Sequence, residues 1–543
     1  MWQAFVDGLS VLSDTWPLVL GAICLVCLGC LPVLLLSQNL THKRKFSWQS
    51  VWLLISFFAL SVILRLAFMT EVYVPPYFDS VEHYRIINRL VTALESSTLL
   101  ETLPTLTPNY YHLGFHFLAS FLAFGLHANP IDTILVLGQV ILAAIPIPIY
   151  FLIRAETGNN VAAFFGILLA GFGWYMPGFA VNWGKYPGLA GIFVFELVLI
   201  IAYSISRRNA KRTKNLLISI LILSIFLSTL FHTRTLIVIL ISFVSWLVAN
   251  KLHNFSKVIQ VLSLGFLLAS LLTLGIFVQQ EALLNLALDP YLEDGLWITL
   301  TVLTLSPFAF IKFSRGVYFC VLFTVLILTA LFVPIGNWLP GLENQTLLDR
   351  PFVEMILYLP LSILDGLGLA GLLKFANEIK MFSEQIRPYI QTLIAILFIG
   401  FTGMVAVSGY NFYPSDCCNF VHYDDTIALD WLARNTPSDA RILIASTQMH
   451  VLPSGPSTSP VGTDAGIWIP ALTGRDITYA HFDTDFRSEN ELEMLCQKQV
   501  EYIYIGNTSQ SFNVSQLIAK KDWYKPILSL PDVQLYQVTG CFK

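Results

Sequence analysis

Long apolar runs separated by short polar connections dominate the chain up to about residue 409. A helix needs about 20 mostly apolar residues to cross a bilayer. A shorter thirteenth run, residues 112-127, carries three histidines. The pattern therefore predicts a polytopic α-helical membrane protein with about 12-13 transmembrane helices. The twelve full-length runs are residues 16-37, 51-70, 131-153, 161-178, 186-205, 215-231, 234-250, 257-278, 295-311, 317-338, 353-373 and 389-409.

The pattern changes near residue 410, where charged residues become more frequent. Residues 426-435 have a helical pattern that ends before Pro437, and the apolar stretches 442-445 and 502-505 are typical of strands. We find no glycine-rich nucleotide loop here. We expect a membrane domain over residues 1-409 and a soluble α/β domain over residues 410-543, called the tail below.

Basic residues indicate how the helices are oriented, because short cytoplasmic loops collect Lys and Arg. Two loops are strongly basic, residues 42-45 and 207-214, and both should lie inside. If the short run 112-127 does not fully cross, the inside loops hold 16 Lys and Arg and the outside loops hold 5. The predicted topology is a multi-pass plasma-membrane protein with an outer loop at 71-111 and an extracytoplasmic tail.

Composition excludes other classes of protein. Apolar residues make up 55% of the chain and charged residues 12%, against about one quarter charged in soluble proteins. An isoelectric point near 6.2, without a basic stripe, argues against nucleic-acid binding. Four of the eight cysteines, Cys417, Cys418, Cys496 and Cys541, lie in the tail, where an outside location permits a disulfide. A bond between the adjacent Cys417 and Cys418 would be strained.

The first outer loop contains a compact acidic motif, Asp79-Ser80-Val81-Glu82-His83. Asp79 followed three residues later by Glu82 predicts a capping box for a helix that continues to Leu94. The same carboxylate suits a general base, and the two roles can coexist. His83 shares a helix face with Asp79 and is explained by hydrogen bonding or by catalysis.

Isolated cations accompany these acids in loops that are otherwise poor in Lys and Arg. They are Arg85, Arg89, Lys185, Arg234 and Arg350. A lipid-linked phosphate needs such cations, since Arg binds phosphate through a planar fork and Lys as a point charge. Lys185 and Arg234 also fit a simpler interpretation, in which they extend to the headgroup layer.

Other polar residues have two interpretations each. His112 and His116 have the spacing of metal ligands on a helix, but a polar half-span explains them as well. The tail segment 481-485 resembles a string of metal ligands, and acidic loops of this kind are usually only solvated. Glu196 and Asp365 lie in apolar runs, where they are functional candidates or members of hydrogen bonds between helices.

Taken together, these motifs resemble the GT-C superfamily, integral-membrane glycosyltransferases that use polyprenyl-phosphate-linked sugars. The resemblance rests on the acidic motif 79-83, the stretch 110-116 that re-enters the membrane, the outer loop 182-187, and the tail, which is similar to the tails of bacterial members. Because Asp79 and Glu82 are separated by two residues, the chain departs from the paired acids of many members. The resemblance therefore does not specify a cofactor, and it allows a divalent metal.

The resemblance also implies an activity and a set of site residues. Asp79 matches the first-loop acid that takes a proton from the acceptor, and Lys185, Arg234 or Arg350 would stabilise the departing lipid phosphate. The expected partners are a lipid-linked sugar donor, a glycan, lipid or protein acceptor, and the bilayer. The predicted catalytic residues are Asp79, Glu82 and His83, and the predicted substrate-binding residues are Tyr110, His112, Asn182, Lys185, Tyr186, His232, Arg234 and Arg350.

Two other functional classes fit parts of the pattern. A transporter would use the outer loops as a vestibule and Glu196 and Asp365 as a proton or ion relay. A non-catalytic assembly protein of the cell envelope would use the tail to bind partners. The long polar first outer loop and the outer soluble domain favour a transferase.

Overall fold

The fold is taken from a computed structural model that describes residues 1–38, 47–106, 112–207, 211–277, 281–335, 345–379, 383–451 and 455–542. Before the tail, these residues form seventeen α-helices. They are α1 Trp2–Gln38, α2 Trp48–Leu66, α3 Phe78–Glu95, α4 Leu99–Leu106, α5 Gly114–Leu126, α6 Pro130–Ala144, α7 Ile147–Thr157, α8 Asn160–Phe172, α9 Tyr186–Arg207, α10 Lys211–Phe231, α11 Arg234–His253, α12 Lys257–Phe277, α13 Glu281–Leu292, α14 Leu296–Ala330, α15 Arg350–Ile356, α16 Tyr358–Glu378 and α17 Arg387–Gly409.

Nine helical segments of the described ranges are long and apolar enough to cross a membrane. Three shorter apolar helices, Gly114–Leu126, Asn160–Phe172 and Lys257–Ser270, accompany them. Each predicted apolar run falls on one of these twelve segments, since α14 contains two of the runs. The prediction of a polytopic helical membrane protein with a C-terminal α/β domain is confirmed.

Helix α14 accounts for two predicted spans because it bends back on itself. At 1.5 Å per residue its 35 residues would extend about 50 Å, well beyond the hydrocarbon thickness of about 30 Å. Phe313 has non-helical dihedrals (φ −138°, ψ 43°). On α16, Leu367 packs against Gly316 and the next residue, Gly368, packs against Leu305. Because residues 305 and 316 meet α16 at the same level, the chain reverses between them.

One predicted span is too long. Residues 161-178 were expected to cross the membrane, but α8 ends at Phe172, after which a turn leads into the short 3₁₀ helix Gly178–Trp183. Trp174 and Met176 are buried. The segment after Phe172 is therefore apolar because it is buried inside the bundle. A buried turn needs apolar side chains as much as a membrane-spanning helix does.

The helical bundle has two ends with different polar groups. At one end, Glu156 pairs with Arg207 (2.9 Å) and with Arg315 (2.7 Å). The opposite end of α9 begins at Tyr186, immediately after Lys185. That end carries the motifs of residues 79-83 and 182-187 and the tail, so α9 separates the two sets of charges.

The tail forms one six-stranded sheet. Its strands are β1 Arg441–Val451, β2 Gly455–Gly462, β3 Asp476–His481, β4 Tyr502–Ile505, β5 Tyr524–Ser529 and β6 Gln534–Val538, and its helices are α18 Tyr423–Asn435, α19 Ile469–Thr473, α20 Glu489–Gln497 and α21 Val514–Ile518. Strand β1 pairs in parallel with β3 and β4 and antiparallel with β2, while β6 pairs antiparallel with β4 and β5. The predicted strands at 442-445 and 502-505 are both present.

Alternating side chains of the sheet build two separate cores. Ile442 and Ile444 belong to the core that also contains α19, whereas Leu443 and Ala445 belong to the core that contains α20. The first of these cores also includes Val74 and is packed against Phe78 of the first outer loop. The tail is thus docked on α3 through one face of its sheet.

Disulfides hold the tail at two places. Cys496 is bonded to Cys541, which ties α20 to the end of the chain. Cys417 is bonded to its neighbour Cys418, the pairing that the sequence led us to regard as strained.

Candidate active site

The centre of the candidate site is an ion pair between α3 and the loop before α9. Asp79 lies in the first turn of α3, and its Oδ2 accepts a hydrogen bond from Lys185 Nζ at 2.5 Å. Both side chains are about one quarter to one third exposed, at 25% and 32%. The pair is therefore only partly covered by the rest of the protein.

The predicted capping box is wrong. Helix α3 begins at Phe78 with Tyr77 as its N-cap, and no side chain caps it. Glu82 instead forms an exposed ion pair with Arg85 at 2.7 Å. The helix starts one residue before Asp79, so Asp79 lies in the first turn and does not cap the helix. Its carboxylate pairs with Lys185 instead.

Close packing between α3 and the loop 182-185 brings Asp79 and Lys185 together. Gly184 has φ +64°, and a Cβ at this position would lie 2.5 Å from Ser80 Oγ. A side chain at Gly184 would therefore push the loop away from α3. His83 holds the same loop, because its Nε2 lies 3.0 Å from the Gly184 carbonyl oxygen.

His83 helps to hold the loop that carries Lys185 in place. A carbonyl oxygen only accepts, so Nε2 carries the proton, and in the neutral ring Nδ1 accepts from His116 Nε2 at 3.0 Å. Burial, together with the nearby Lys185, lowers the pKa of His83 to about 3. The ring is therefore neutral at physiological pH and is enclosed by protein on both nitrogens.

A second ion pair joins α11 to α15. Arg234 Nη1 lies 2.8 Å from Asp349 Oδ2. Asp349 also caps α15, since its Oδ1 accepts from the Phe352 N–H at 3.2 Å. The neighbouring Arg350 contacts Glu354 at 3.3 Å, and its guanidinium lies 5.8 Å from the Trp183 ring. The capped start of α15 therefore presents a carboxylate and a cation side by side.

The two ion pairs belong to one cluster, because Arg350 lies against Trp183 in the loop that carries Lys185. Burial lowers the pKa of Lys185, but the carboxylates of Asp79 and Asp349 outweigh it and leave the pKa above its usual value. Burial raises the pKa of the Tyr77 phenol. The charges of Lys185, Asp79 and Arg350 also act on this phenol. Tyr77 thus lies beside the cluster.

Two histidines border the cluster at the turn before α11. The rings of His112 and His232 are 4.4 Å apart, and His232 stacks on Phe352 at 4.9 Å. Burial and the charge of Arg234 lower the pKa of His112 to about 4. Burial lowers the pKa of His232 well below its usual range, and His112 and Arg234 lower it further. Both rings are neutral near pH 7 and suit hydrogen bonding better than charge stabilisation.

Three predicted site residues are placed differently or not described. The Oδ1 atom of Asn182 accepts from the Ser415 N–H at 2.8 Å, so Asn182 anchors the start of the tail. Tyr186 is fully buried and stacks on Phe115. Tyr110 lies outside the described residues. We treat Asn182 and Tyr186 as structural supports of the loop that carries Lys185.

Tyr77 and Asp349 were missed as site residues. Asp349 had a usable signal, because an Asp followed by Arg350-Pro351 is typical of a helix start. Tyr77 had none. Its backbone (φ 69°, ψ 162°) lies in a region that is almost restricted to glycine, and it is held there by tertiary contacts. Its N–H donates to the Cys418 carbonyl at 3.0 Å, and its ring stacks on Phe420 at 5.9 Å.

A cleft of about 420 Å³ lies between Tyr77 and the tail sheet. We call it the tail cleft. Hydroxyl, amide and aromatic groups dominate its described lining, which contains no Lys or Arg. The lining residues are Tyr77, Phe78, Asp416, Cys417, Asn419, Phe420, His422, Thr447, Met449, Val461, Gly462, Thr463, Asn507, Thr508, Ser509 and Gln510. Since Tyr77 belongs both to this lining and to the charged cluster, the two are adjacent.

Metal binding was allowed by the sequence but has no preformed ligand set in the part of the chain that the structure describes. No three His, Cys, Asp or Glu side chains converge there in a way that would hold a metal ion. The described charged and aromatic groups at the site include cations, carboxylates and neutral imidazoles.

Comparisons with known proteins give a limited result. No family model and no curated protein matches this sequence. Among solved structures, the Archaeoglobus fulgidus oligosaccharyltransferase, determined in complex with Zn and sulfate, is 14% identical with a TM-score of 0.45 and covers 89% of this chain and 72% of its own. The arabinofuranosyltransferase AftD from Mycobacteria is 12% identical with a TM-score of 0.41 and covers 91% of this chain and 40% of its own.

Both of these proteins are glycosyltransferases. Because both TM-scores lie below 0.5, the chemistry of this protein has to follow from its own residues.

Proposed function

We propose that this protein is an integral-membrane glycosyltransferase that moves a sugar from a polyprenyl-phosphate-linked donor to an acceptor hydroxyl on the extracytoplasmic face of the membrane. The observation that carries this proposal is the cluster at one end of the helical bundle, where Asp79–Lys185 and Arg234–Asp349 form accessible ion pairs. These pairs unite a candidate base with several cations at a membrane surface.

In the proposed reaction the acceptor oxygen forms a bond to the anomeric carbon of the sugar. The bond between that carbon and the phosphate oxygen breaks, and the phosphate leaves with the bonding electrons. Asp79 takes the proton of the acceptor hydroxyl, a step that contributes about 10²- to 10⁴-fold when the base is well placed. A single displacement of this kind inverts the configuration of the anomeric carbon.

The cations of the cluster are proposed to bind the departing phosphate. Fixed positive charges stabilise negative charge where it develops in the transition state. Arg234 and Arg350 offer planar guanidinium groups that can bind two phosphate oxygens each. Lys185 adds a positive charge next to the base, because its Nζ donates to the Asp79 carboxylate. The neutral His112 and His232 would add hydrogen bonds at the edge of this site.

The acceptor is proposed to enter through the tail cleft. Its volume of about 420 Å³ is within the usual range for ligand sites. A lining of hydroxyls, amides and aromatic rings, with no described cation, suits a neutral ligand rich in hydroxyl groups, such as a glycan. The position of Tyr77 between the cleft and Asp79 would bring an acceptor hydroxyl to the base.

Transport is the second functional class, and the contacts of two buried acids favour it less than glycosyl transfer. Glu196 accepts a hydrogen bond from the Tyr358 hydroxyl at 2.5 Å, and Asp365 accepts one from Thr301 at 3.0 Å. Each bond joins two helices of the bundle. Among the described residues each acid therefore serves a separate contact between helices.

The donor is identified by mass spectrometry of membrane lipids from cells that lack the protein. We expect a polyprenyl-phosphate sugar to accumulate and to disappear when the wild-type protein is restored, whereas Asp79→Asn should not restore the normal lipid profile. An unchanged lipid profile in the deleted cells would contradict the proposal.

Phosphate binding is tested by Arg234→Lys, which keeps the charge but removes the fork. We expect KM for the lipid-linked donor to rise about tenfold, while KM for the acceptor changes little. Arg85→Lys is the matched control, because Arg85 lies in an exposed pair with Glu82. Equal donor KM values for Arg234→Lys and the wild type would remove Arg234 from the phosphate site.

A further inference from the structure

Arg65, near the end of α2, is a buried cation with no carboxylate partner in the described part of the chain. Only 4% of the residue is exposed. Its guanidinium carbon lies 5.6 and 5.5 Å from the ring centroids of Phe172 and Tyr410. Its Nη2 donates to the Gly171 carbonyl at 2.8 Å. The Nε–H is buried and has no acceptor.

A small cavity lies beside this guanidinium. Its volume is about 20 Å³, and it is lined by Arg65, Gln139, Tyr175 and Tyr410 among others. Gln139 is 1% exposed, and its Nε2 amide also has no acceptor. Gly178 allows Tyr410 and Arg65 to approach this part of the backbone closely. A Cβ at Gly178 would lie 2.0 Å from the Tyr410 hydroxyl and 3.3 Å from Arg65 Nη1. Two residues of the same cavity lining therefore each carry a buried donor without an acceptor, and one of them is a cation.

The cavity is large enough for one particle of the size of a water molecule. A water molecule would satisfy the two donors but would leave the charge of Arg65 uncompensated, and an unpaired buried charge is strongly unfavourable. Two carboxylates act on tyrosines of the cavity lining and form no ion pair with Arg65 in the described part of the chain. Asp7 accepts from the Tyr413 hydroxyl at 2.6 Å, and Asp294 acts on Tyr175 without forming an ion pair with Arg65.

We propose that this cavity binds a small monovalent anion of about the size of chloride, held by Arg65 Nε–H and Gln139 Nε2–H. Such an anion satisfies both donors and neutralises the guanidinium. This site is independent of the proposed glycosyl transfer, since none of its ligands belongs to the charged cluster around Asp79.

The anion would stabilise the connection between the membrane helices and the tail. The cavity is also lined by Asn411, Phe412 and Tyr413, which follow the last helix of the bundle, α17. Asn182, another lining residue, holds the Ser415 backbone. Anion binding is therefore expected to rigidify the segment that leads into the tail.

The test is thermal unfolding of the purified full-length protein in sodium chloride and in sodium gluconate at equal pH and ionic strength. We expect the Tm of the wild type to rise with chloride concentration and to saturate, as it does for any ligand that binds the folded state. Arg65→Gln should abolish this dependence. Arg434→Gln is the matched control, since Arg434 is exposed and pairs with Asp430, and it should keep the dependence.

Gln139→Leu provides a second variant that keeps the cation, and it carries the test if Arg65→Gln does not fold. Loss of one hydrogen bond to an anion should raise the apparent Kd for chloride about tenfold or more. Crystals soaked in bromide should show anomalous scattering within hydrogen-bond distance of Arg65 Nε. Equal Tm values in the two salts, an unchanged chloride dependence in Gln139→Leu, or no bromide at Arg65 would overturn the proposal.

Discussion

Asp79 and Glu82 lie one turn apart on α3, yet their surroundings differ. Asp79 faces Lys185 inside the charged cluster, whereas Glu82 pairs with Arg85 on the exposed side of the helix. Both acids were predicted to be catalytic from the same motif. The structure therefore makes them a matched pair for testing the base.

We expect Asp79→Asn to lower turnover by about 10²-fold or more, because Asn cannot accept a proton. The partly exposed ion pair with Lys185 contributes little to folding, so the free energy of unfolding should change by no more than about 1 kcal/mol. The measurement is glycosyl transfer in membranes with a lipid-linked donor, together with thermal unfolding.

Glu82→Gln is the control for this experiment, and it should retain normal turnover. If Asp79→Asn and Glu82→Gln have the same activity as the wild type, the proposed base is wrong. If both variants lose activity equally, the two acids act together, and the different roles assigned to Asp79 and Glu82 are wrong.

Asp464 of the tail is a buried carboxylate that should make stability depend on pH. It is 0% exposed and accepts from the N–H groups of Gly466 (3.0 Å) and Gly506 (3.2 Å). Burial raises its pKa to about 7, against about 3.9 in an unfolded chain. Its stabilising effect is complete below about pH 4 and is lost as the pH rises through about 7.

The expected loss between pH 4 and pH 8 has an upper limit of about 4 kcal/mol. We expect hydrogen exchange of the β4 amides in the full-length protein to be faster at pH 8 than at pH 5, after correction for the intrinsic exchange rate. Asp464→Asn should weaken this difference, and Asp439→Asn, an exposed control, should keep it. A pH profile unaffected by Asp464→Asn would contradict the prediction.

At the level of elements, helix α3 connects the tail to the site. Its first turn carries Asp79, and its residues Phe78, Val81 and Tyr84 pack against one core of the tail. The ring of Tyr84 lies 5.7 Å from Trp468. The tail therefore supports the position of Asp79 in addition to lining the cleft.

We expect a fragment of residues 416-543 to unfold cooperatively, because the core around α20 is built from tail residues alone. The core around α19 should be weaker in this fragment, since α3 no longer covers it. Hydrogen exchange should therefore be faster in α19 than in the full-length protein, while exchange in α20 stays unchanged. Non-cooperative unfolding, or equal protection of α19 in both, would contradict this view of the tail.

At the scale of the whole molecule, the site and the ion pair between Glu156 and Arg207 lie at opposite ends of the helical bundle. Lys185 precedes α9 at the site, and Arg207 ends the same helix beside Glu156. This arrangement supports the topology proposed from the basic residues, with the site and tail outside.

We expect cysteines introduced at Ser96 and Ser206 to differ in labelling by a membrane-impermeant thiol reagent. Both positions are exposed in the structure. In intact cells Ser96→Cys should react and Ser206→Cys should react only after the membrane is opened. Equal labelling of the two in intact cells would defeat the topology.

The sequence alone determined the membrane architecture, because a bilayer requires long apolar helices whatever their partners are. It also made Asp79, Lys185, Arg234 and Arg350 candidate site residues, since charges near the membrane are costly and therefore conspicuous. The tail was recognisable for a similar reason, because strand and helix patterns are local. These features depend on each segment separately.

Only the tertiary structure decided which of these residues meet. The separation of Asp79 from Glu82 follows from a helix start set by Tyr77, whose backbone is held by contacts with Cys418 and Phe420 of the tail. The ion pair of Arg234 with Asp349 joins segments more than one hundred residues apart. Side-chain pairing across such distances depends on helix packing, and packing is a property of the whole chain that no local pattern encodes.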